Sequence, residues 1–271
     1  MENLTLDGVV AVRIDATKRN YFFGRAGNST ASGGANIGSG DSAMIALLSG
    51  TNNVAIGDFS MAMHTSGTGN TAVGSDSMKS SVSCTDCTAV GYQALQTATA
   101  GVGGTAIGRF ALNKAGNAGN NTAIGDSALR FTTIGQQNVS VGYRNSEGNL
   151  TGSYNVSVGQ GSALIRTAGD QNVAIGYCSM FDATQGNGNV AVGYYAGQAV
   201  TTGVNNIFLG TSAGAGASQS KTVINSIAIG FGAITTVNNQ VVIGNSNNDS
   251  FVLGGVVMSK AKLIALLALV P

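Results

Sequence analysis

The sequence has few of the residues that break, cross-link or charge a chain. It contains one proline, no tryptophan, one histidine and three cysteines in 271 residues, and only 9% of its residues are charged. The lack of proline excludes collagen, and three cysteines cannot form a disulfide framework. A net charge of +1 gives no electrostatic attraction to nucleic acid or an anionic membrane. We therefore expect no nucleic-acid partner and, since no apolar run approaches about 20 residues, no membrane insertion.

Glycine is abundant, with 41 residues, and its spacing is regular. A glycine preceded by an aliphatic residue recurs every 17 residues, at positions 57, 74, 91, 108, 125, 142, 159, 176, 193 and 210. Gly38, Gly230 and Gly244 extend this series at irregular steps. A fixed period of this length is typical of solenoids, in which each repeat is one coil that cannot bury a core alone. We predict an all-β parallel β-solenoid of about twelve 17-residue coils over residues 36–246.

The anchor glycines follow a tripeptide of the pattern aliphatic or Thr, then Ala or Ser, then aliphatic, as in Val173-Ala174-Ile175, with Phe208 as the exception in the middle column. This alternation predicts a short strand. We expect its aliphatic residues to face the core and its Ala or Ser column to point outward, as a smooth stripe on which another chain packs. A second apolar segment, such as Ala94-Leu95 or Ala111-Leu112, predicts a second strand in each coil. These features predict a parallel homotrimer.

A column of asparagines lies four residues before the anchor glycine. Stacking the coils places Asn over Asn, which allows ladders of side-chain amides. The column contains Asn53, Asn70, Asn121, Asn138, Asn155, Asn172, Asn189 and Asn206.

Segments such as Asn53-Val54-Ala55-Ile56-Gly57 and Asn172-Val173-Ala174-Ile175-Gly176 resemble the head repeats of trimeric autotransporter adhesins, in the form found in phage tail fibre proteins. The resemblance implies a left-handed parallel β-roll that trimerises along its long axis and serves adhesion or receptor binding. The adhesin repeat is typically nearer 14 residues, so one turn is expected to be longer here. Autotransporters also need a secretion signal and a membrane barrel, and the sequence shows neither. We therefore expect a phage tail fibre or other virion fibre protein, with a bacterial surface adhesin fragment as the alternative.

The two ends depart from the repeat and are expected to cap it. Residues 1–35 are a cap or the attachment point to a larger virion or tail assembly. Residues 247–271 are a second cap with a short helix over 258–270. The apolar face of that helix would either bundle on the trimer axis or fold back on the last coil. It consists of Leu263, Leu266, Leu267 and Val270.

The motifs that suggest catalysis coincide with the repeat. Gly125-Asp126-Ser127-Ala128-Leu129 is similar to the nucleophile block of GDSL hydrolases, but the only histidine, His64, lies about four coils away. Segments 67–72 and 186–191 match G-x-G-x-x-A without the strand and long helix that give this fingerprint its meaning. We expect no enzyme activity and no cofactor.

Cys84 and Cys87 form a lone C-x-x-C on a predicted loop. A metal site shared between chains, a local disulfide and two unreactive thiols are all compatible with this spacing, and two unreactive thiols is the expectation. Cys178 lies in a variable column.

The position after the anchor glycine accepts both charge signs, which indicates exposure. Tyrosines in this column can stack on sugars or pack on a protein receptor, although they can also simply cover the edge of the roll. Tyr177, Tyr194 and Tyr195 are predicted to form one patch, with Tyr92 and Tyr143 as further candidates for contact with a host glycan or protein.

An ice-binding solenoid is a third class to consider. Such proteins display a flat threonine array, and here threonine is concentrated in one column of the predicted strands. That column is expected to point inward, which disfavours ice binding. It consists of Thr71, Thr88, Thr105 and Thr122.

Overall fold

The computed structural model describes residues 2–6, 9–98, 102–117, 119–164, 168–247, 250–253 and 256–259. The chain begins with an antiparallel meander of β1 (Glu2–Leu6), β2 (Val9–Asp15) and β3 (Asn20–Phe23). Thirteen strands of three residues follow: β4 (Ile37–Ser39), β5 (Val54–Ile56), β6 (Thr71–Val73), β7 (Thr88–Val90), β8 (Thr105–Ile107), β9 (Thr122–Ile124), β10 (Val139–Val141), β11 (Val156–Val158), β12 (Val173–Ile175), β13 (Val190–Val192), β14 (Ile207–Leu209), β15 (Ile227–Ile229) and β16 (Val241–Ile243). A separate hairpin of β17 (Ser250–Leu253) and β18 (Val256–Ser259) comes last.

Strands β1 to β16 form one sheet in sequence order. From β3 onward every pair is parallel, and neighbouring strands pair residues 17 positions apart through the regular region, such as Thr88 with Thr105. The prediction of a parallel β-solenoid is confirmed, with about 13 coils. The described residues contain no helix, so they include no helix that could cross a membrane.

The direction of the strand side chains is opposite to the prediction. Ala55, Ala89 and Ala106 are fully buried, whereas Ile56 and Ile107 are 44% and 39% exposed. A 17-residue coil encloses little space, so only a small side chain fits beneath the sheet. The core is completed from the opposite side of the coil by large buried residues four positions after the anchor glycine. These are Met44, Met61, Met78, Leu95, Leu112, Leu129 and Met180.

The second strand expected in each coil is absent from the described residues. The Ala-Leu segment forms turns instead, because the second and fourth residues after the anchor take left-handed backbone conformations, such as Gln93 at φ 55° and Leu95 at φ 49°. These turns still bond to the next coil, since Leu95 N donates to Ala111 O at 2.9 Å. A left-handed non-glycine residue costs about 1–2 kcal/mol, so the core contacts of these leucines offset local strain.

The anchor glycine is required by the close approach of successive coils. At Gly91, φ is +132°, and a Cβ atom would lie 2.7 Å from the backbone C and O atoms of Gly108 in the next coil. Any larger residue would push the two coils apart. This contact explains why the glycine column has no exception through the regular region.

Two buried phenylalanine rings fill space next to glycines, which have no side chain of their own. Phe208 replaces the usual alanine beneath the sheet, and Gly197 and Gly214 replace the usual leucine or methionine. A Cβ atom on Gly214 would overlap the Phe208 ring. Phe22 at the N-terminal end has the same relation to Gly27. The two sides of the coil therefore share one volume, which can be filled from either side.

The asparagine column forms two buried amide ladders, as predicted. In each step, the Nδ2 of one Asn donates to the Oδ1 of the preceding Asn and to a backbone carbonyl of the following coil. Asn53 Nδ2, for example, donates to Asn36 Oδ1 at 3.0 Å and to Gly67 O at 2.9 Å. Asn53 Oδ1 then accepts from the backbone N and the Nδ2 of Asn70. The first ladder contains Asn20, Asn36, Asn53 and Asn70; the second contains Asn121, Asn138, Asn155, Asn172, Asn189 and Asn206.

The apolar core is divided into two clusters, one ending at Leu129 and the other beginning at Ala163. Between them the interior is polar. Ser146 Oγ lies 2.7 Å from Ser157 Oγ, and Asn145 Nδ2 donates to Gly159 O at 2.6 Å. These buried groups satisfy one another, as buried polar atoms must.

The predicted C-terminal helix is partly wrong. Met258 and Ser259 belong to β18, which pairs with β17. The remainder of the expected helix, with Leu263, Leu266, Leu267 and Val270, lies outside the described residues.

Candidate functional site

The outward residues of β4 to β16 form one continuous surface, here called the aliphatic face. Each strand contributes its first and third residues, which are Val, Ile or Leu except for one Ser and four Thr. None of the 39 residues in these strands is charged. Every strand places these residues at intermediate or greater exposure, with Val90 at 36%, Ile56 at 44% and Ile243 at 53%.

The size of the aliphatic face follows from strand geometry. Three residues span about 10 Å, and strands about 4.8 Å apart extend the face to about 60 Å, or about 600 Å². A patch of this area is at the upper limit for a monomer and often marks an interaction site. It also approaches the about 800 Å² that each partner contributes to a stable interface.

Four threonines lie on the aliphatic face, and the expectation that they point inward is wrong. Thr71, Thr88, Thr105 and Thr122 pair in register on adjacent strands, with their side chains on the same side as the outward Val and Ile residues. The buried alanine between them fixes this direction, because side chains alternate along a strand.

Three of the predicted tyrosines come together in one cluster. The rings of Tyr177 and Tyr194 are stacked, with centroids 5.3 Å apart. Tyr195 packs edge-on against Tyr194 at 4.4 Å and against Tyr177 at 5.5 Å. The structure therefore forms the patch predicted from the sequence, and its role in receptor contact stays a prediction.

The surroundings of Tyr194 and Cys178 raise the pKa of both side chains. Tyr194 is half exposed, and partial loss of hydration together with the side-chain hydrogen bond to Tyr195 raises its pKa. Burial also raises the pKa of the adjacent Cys178 thiol, which is largely enclosed.

The two other candidate tyrosines lie apart from this cluster. Tyr92 is 45% exposed and packs edge-on against Phe110 at 5.6 Å. Tyr143 is half exposed, next to Arg144 in the chain. Neither has a ring contact with Tyr177, Tyr194 or Tyr195 among the described residues.

In the hydrolase-like motif, the side chains of Ser127 and Asp126 make structural hydrogen bonds. Ser127 is buried, and its Oγ donates to Asp126 Oδ1 at 2.8 Å. The other carboxylate oxygen of Asp126 accepts from Arg109 at 2.9 Å. The only histidine, His64, is fully buried elsewhere.

His64 is held as a neutral imidazole. Its Nε2 accepts from Gly67 N at 3.2 Å, and its Nδ1 lies 3.2 Å from Ser81 O, to which it donates. Burial lowers the pKa of His64, and these backbone contacts only partly oppose that effect.

Cys84 and Cys87 are joined by a disulfide, so the expectation of two unreactive thiols is wrong. Both residues are buried, and they occupy the columns that elsewhere hold glycine and asparagine. Among the described residues, no three His, Cys, Asp or Glu side chains form a group that could hold a metal ion.

Sequence reasoning missed a cluster of cations and aromatic rings that lies on consecutive coils, here called the cationic patch. The adjacent pairs Arg109-Phe110 and Arg130-Phe131 on successive coils were the available signal. The patch consists of Arg109, Phe110, Lys114, Arg130, Phe131 and Arg144.

Comparison with models of protein families, with curated proteins and with solved structures gives no match for this chain.

Proposed function

We propose that the chain is a non-enzymatic module of a virion fibre, in which three copies form a rigid rod that serves host attachment. The aliphatic face is the observation that carries this proposal. An uncharged apolar strip about 60 Å long on a thin solenoid is unfavourable in water, because apolar area costs about 25 cal/mol per Å² when exposed.

A second copy of the same chain is the proposed cover for this face. The strip repeats with every coil, so an identical strip lying parallel to it presents apolar side chains at the same spacing. Three such strips can meet around one axis, which is the arrangement that the resemblance to adhesin head repeats implies. The buried polar interior and the strained turns support a rod-like framework rather than a reactive centre.

One pair of variants tests the assembly. Ile107 lies on the aliphatic face at 39% exposure, and Ile134 lies in a turn at 58% exposure. Ile107→Glu should reduce the molar mass in solution to that of one chain while the β-sheet circular dichroism is retained. Ile134→Glu should leave the assembly intact. Equal behaviour of the two variants would contradict the proposal.

The tyrosine cluster is the proposed receptor contact on this rod. Binding of the labelled full chain to an array of glycans tests this role. Replacing Tyr177 and Tyr194 together by alanine should abolish binding, whereas Tyr154→Ala, at a 56% exposed tyrosine away from the cluster, should not. Antibodies to the chain would then label virus particles; labelling of bacterial surfaces instead would favour the alternative, a surface adhesin.

Ice binding is a second candidate, favoured by the outward column of four threonines in register on adjacent strands. It requires the aliphatic face to be free, so it and the trimer are mutually exclusive uses of one surface. Thermal hysteresis of the full chain, together with a monomeric molar mass, would support ice binding and overturn the assembly.

A further inference from the structure

The cationic patch contains an arginine whose aromatic contacts are formed but whose hydrogen-bonding capacity is largely unused. The Arg130 guanidinium carbon lies 4.6 Å from the centroid of the Phe110 ring and 5.0 Å from that of Phe131. Its Nη1 is 3.6 Å from Glu147 Oε1, which is an ion-pair distance but too long for a good hydrogen bond. Its Nε is buried and has no hydrogen-bond partner among the described residues.

Lys114 also lies close to the Phe131 ring. Its ammonium nitrogen is 5.3 Å from the centroid of the Phe131 ring, and its backbone N donates to Arg130 O at 3.0 Å in the next coil. The side chain is exposed, and no acidic residue in the described part of the chain pairs with it. The guanidinium of Arg130 and the ammonium of Lys114 therefore both lie within 5.3 Å of the centroid of the Phe131 ring.

The two remaining arginines of the patch are already paired. Arg109 Nε and Nη2 both lie 2.9 Å from Asp126 Oδ2. Arg144 Nε donates to Glu147 Oε2 at 2.6 Å, and this contact raises the pKa of Arg144. Four cations therefore face two carboxylates, and the excess positive charge lies at Arg130 and Lys114.

A shallow depression adjoins the excess charge. It is lined by Phe131, Arg144, Glu147, Gly148 and Leu164 and has a volume of about 370 Å³. Its aromatic and aliphatic walls can accept the apolar face of a sugar ring, while a neighbouring carboxylate, sulfate or phosphate group reaches Arg130. Guanidinium and ammonium groups bind such oxyanions through short, charge-assisted hydrogen bonds.

We propose that the cationic patch binds an acidic polysaccharide, with one of its anionic groups held between Arg130 and Lys114. The site is open rather than enclosed, and its cations lie on coils about 4.8 Å apart. An extended polymer can therefore engage several of them at once, which a free anion cannot. The patch lies on turns that follow the strands, so this binding does not require the trimer.

Binding of the full chain to dextran sulfate, measured by biolayer interferometry at low salt, tests this proposal. Lys114→Gln and Arg130→Gln should each weaken binding by about tenfold, which corresponds to about 1.4 kcal/mol. Binding should fall as NaCl is raised, since salt screens exposed charges. Neutral dextran of the same length should not bind. Circular dichroism checks that each variant folds. If Arg130→Gln fails to fold, the result for Lys114→Gln, at an exposed residue, decides whether the proposal holds.

Lys79→Gln is the matched control. Lys79 occupies the same repeat position as Arg130 and lies 4.7 Å from the Phe59 ring centroid, but its ammonium is already 2.9 Å from Asp76. The Lys79→Gln variant should bind dextran sulfate with an affinity within twofold of that of the unmodified chain. The proposal is overturned if dextran sulfate does not bind, or if Lys79→Gln weakens binding as much as Lys114→Gln does. It is also overturned if inorganic phosphate binds as tightly as the polymer.

Discussion

Removing one amide from the second asparagine ladder should destabilise the coils on both sides of it. Asn189 Nδ2 donates to Asn172 Oδ1 at 3.1 Å and to Gly203 O at 2.7 Å. Its Oδ1 accepts from Asn206 N at 3.0 Å and from Asn206 Nδ2 at 2.9 Å. In Asn189→Ala, all four hydrogen bonds are lost.

The magnitude follows from the groups left without these partners. The Gly203 carbonyl and the Asn206 backbone N–H are both buried, whereas Asn206 Nδ2 keeps its bond to Val223 O at 2.7 Å. A buried polar group that loses its partner costs about 1–3 kcal/mol. We therefore expect Asn189→Ala to lower the free energy of unfolding by about 2–6 kcal/mol.

Asn187→Ala is the matched control, two residues away in the same coil. Asn187 is exposed, and its Oδ1 accepts one hydrogen bond, from Asp170 N at 2.7 Å. Loss of this hydrogen bond should change the free energy of unfolding by no more than about 0.5 kcal/mol. Because a solenoid can open locally, hydrogen–deuterium exchange of peptides covering residues 186–206 is the appropriate measurement, with urea unfolding beside it. Equal protection in the two variants would refute the ladder as a source of stability.

Three further predictions concern the coil interior. Gly91→Ala should cost at least about 2 kcal/mol in urea unfolding, because its Cβ would strike the next coil and its φ is left-handed; Gly104→Ala, whose Cβ would meet only a leucine side chain at 3.9 Å, should be nearly neutral. His64 has a pKa lowered from 6.5 by burial, so the unfolded chain binds the proton first; stability should be constant above about pH 6.5 and fall below it. His64→Leu should weaken that decrease in melting temperature, and identical pH profiles would contradict the assignment. Phe208→Ala should cost about 3–5 kcal/mol, and adding Gly214→Leu should recover part of this loss, since the two side chains share one volume; no recovery would contradict that sharing.

The period, the parallel stacking and the asparagine ladder could all be predicted from the sequence, because each depends only on which residues recur at one spacing. The direction in which the strand side chains face could not be predicted from the alternation alone. In Val190-Ala191-Val192, alternation shows that the two valines share a side, but it does not show which side is the core. Hydrophobicity favoured the valines, whereas the narrow coil has room only for the alanine.

One signal for the correct facing was present in the sequence. The coil that replaces the strand alanine by Phe208 also replaces the usual leucine or methionine by Gly214, and the preceding coil does so with Gly197. Such compensation indicates that the strand's middle column and the leucine column fill the same space. The Cys84–Cys87 disulfide had no comparable signal, because a C-x-x-C spacing is also compatible with two free thiols. The contacts of Arg130 had only the weaker signal of adjacent Arg-Phe pairs, because the distances between coils decide which side chains meet.

The molar mass of the unmodified full chain, measured by light scattering over a dilution series, tests the central claim most directly. If the aliphatic face is covered by two further copies, the mass should be about three times 27.0 kDa and should persist on dilution. A mass of 27.0 kDa at all concentrations would show that the face is free in solution and would contradict the proposed assembly.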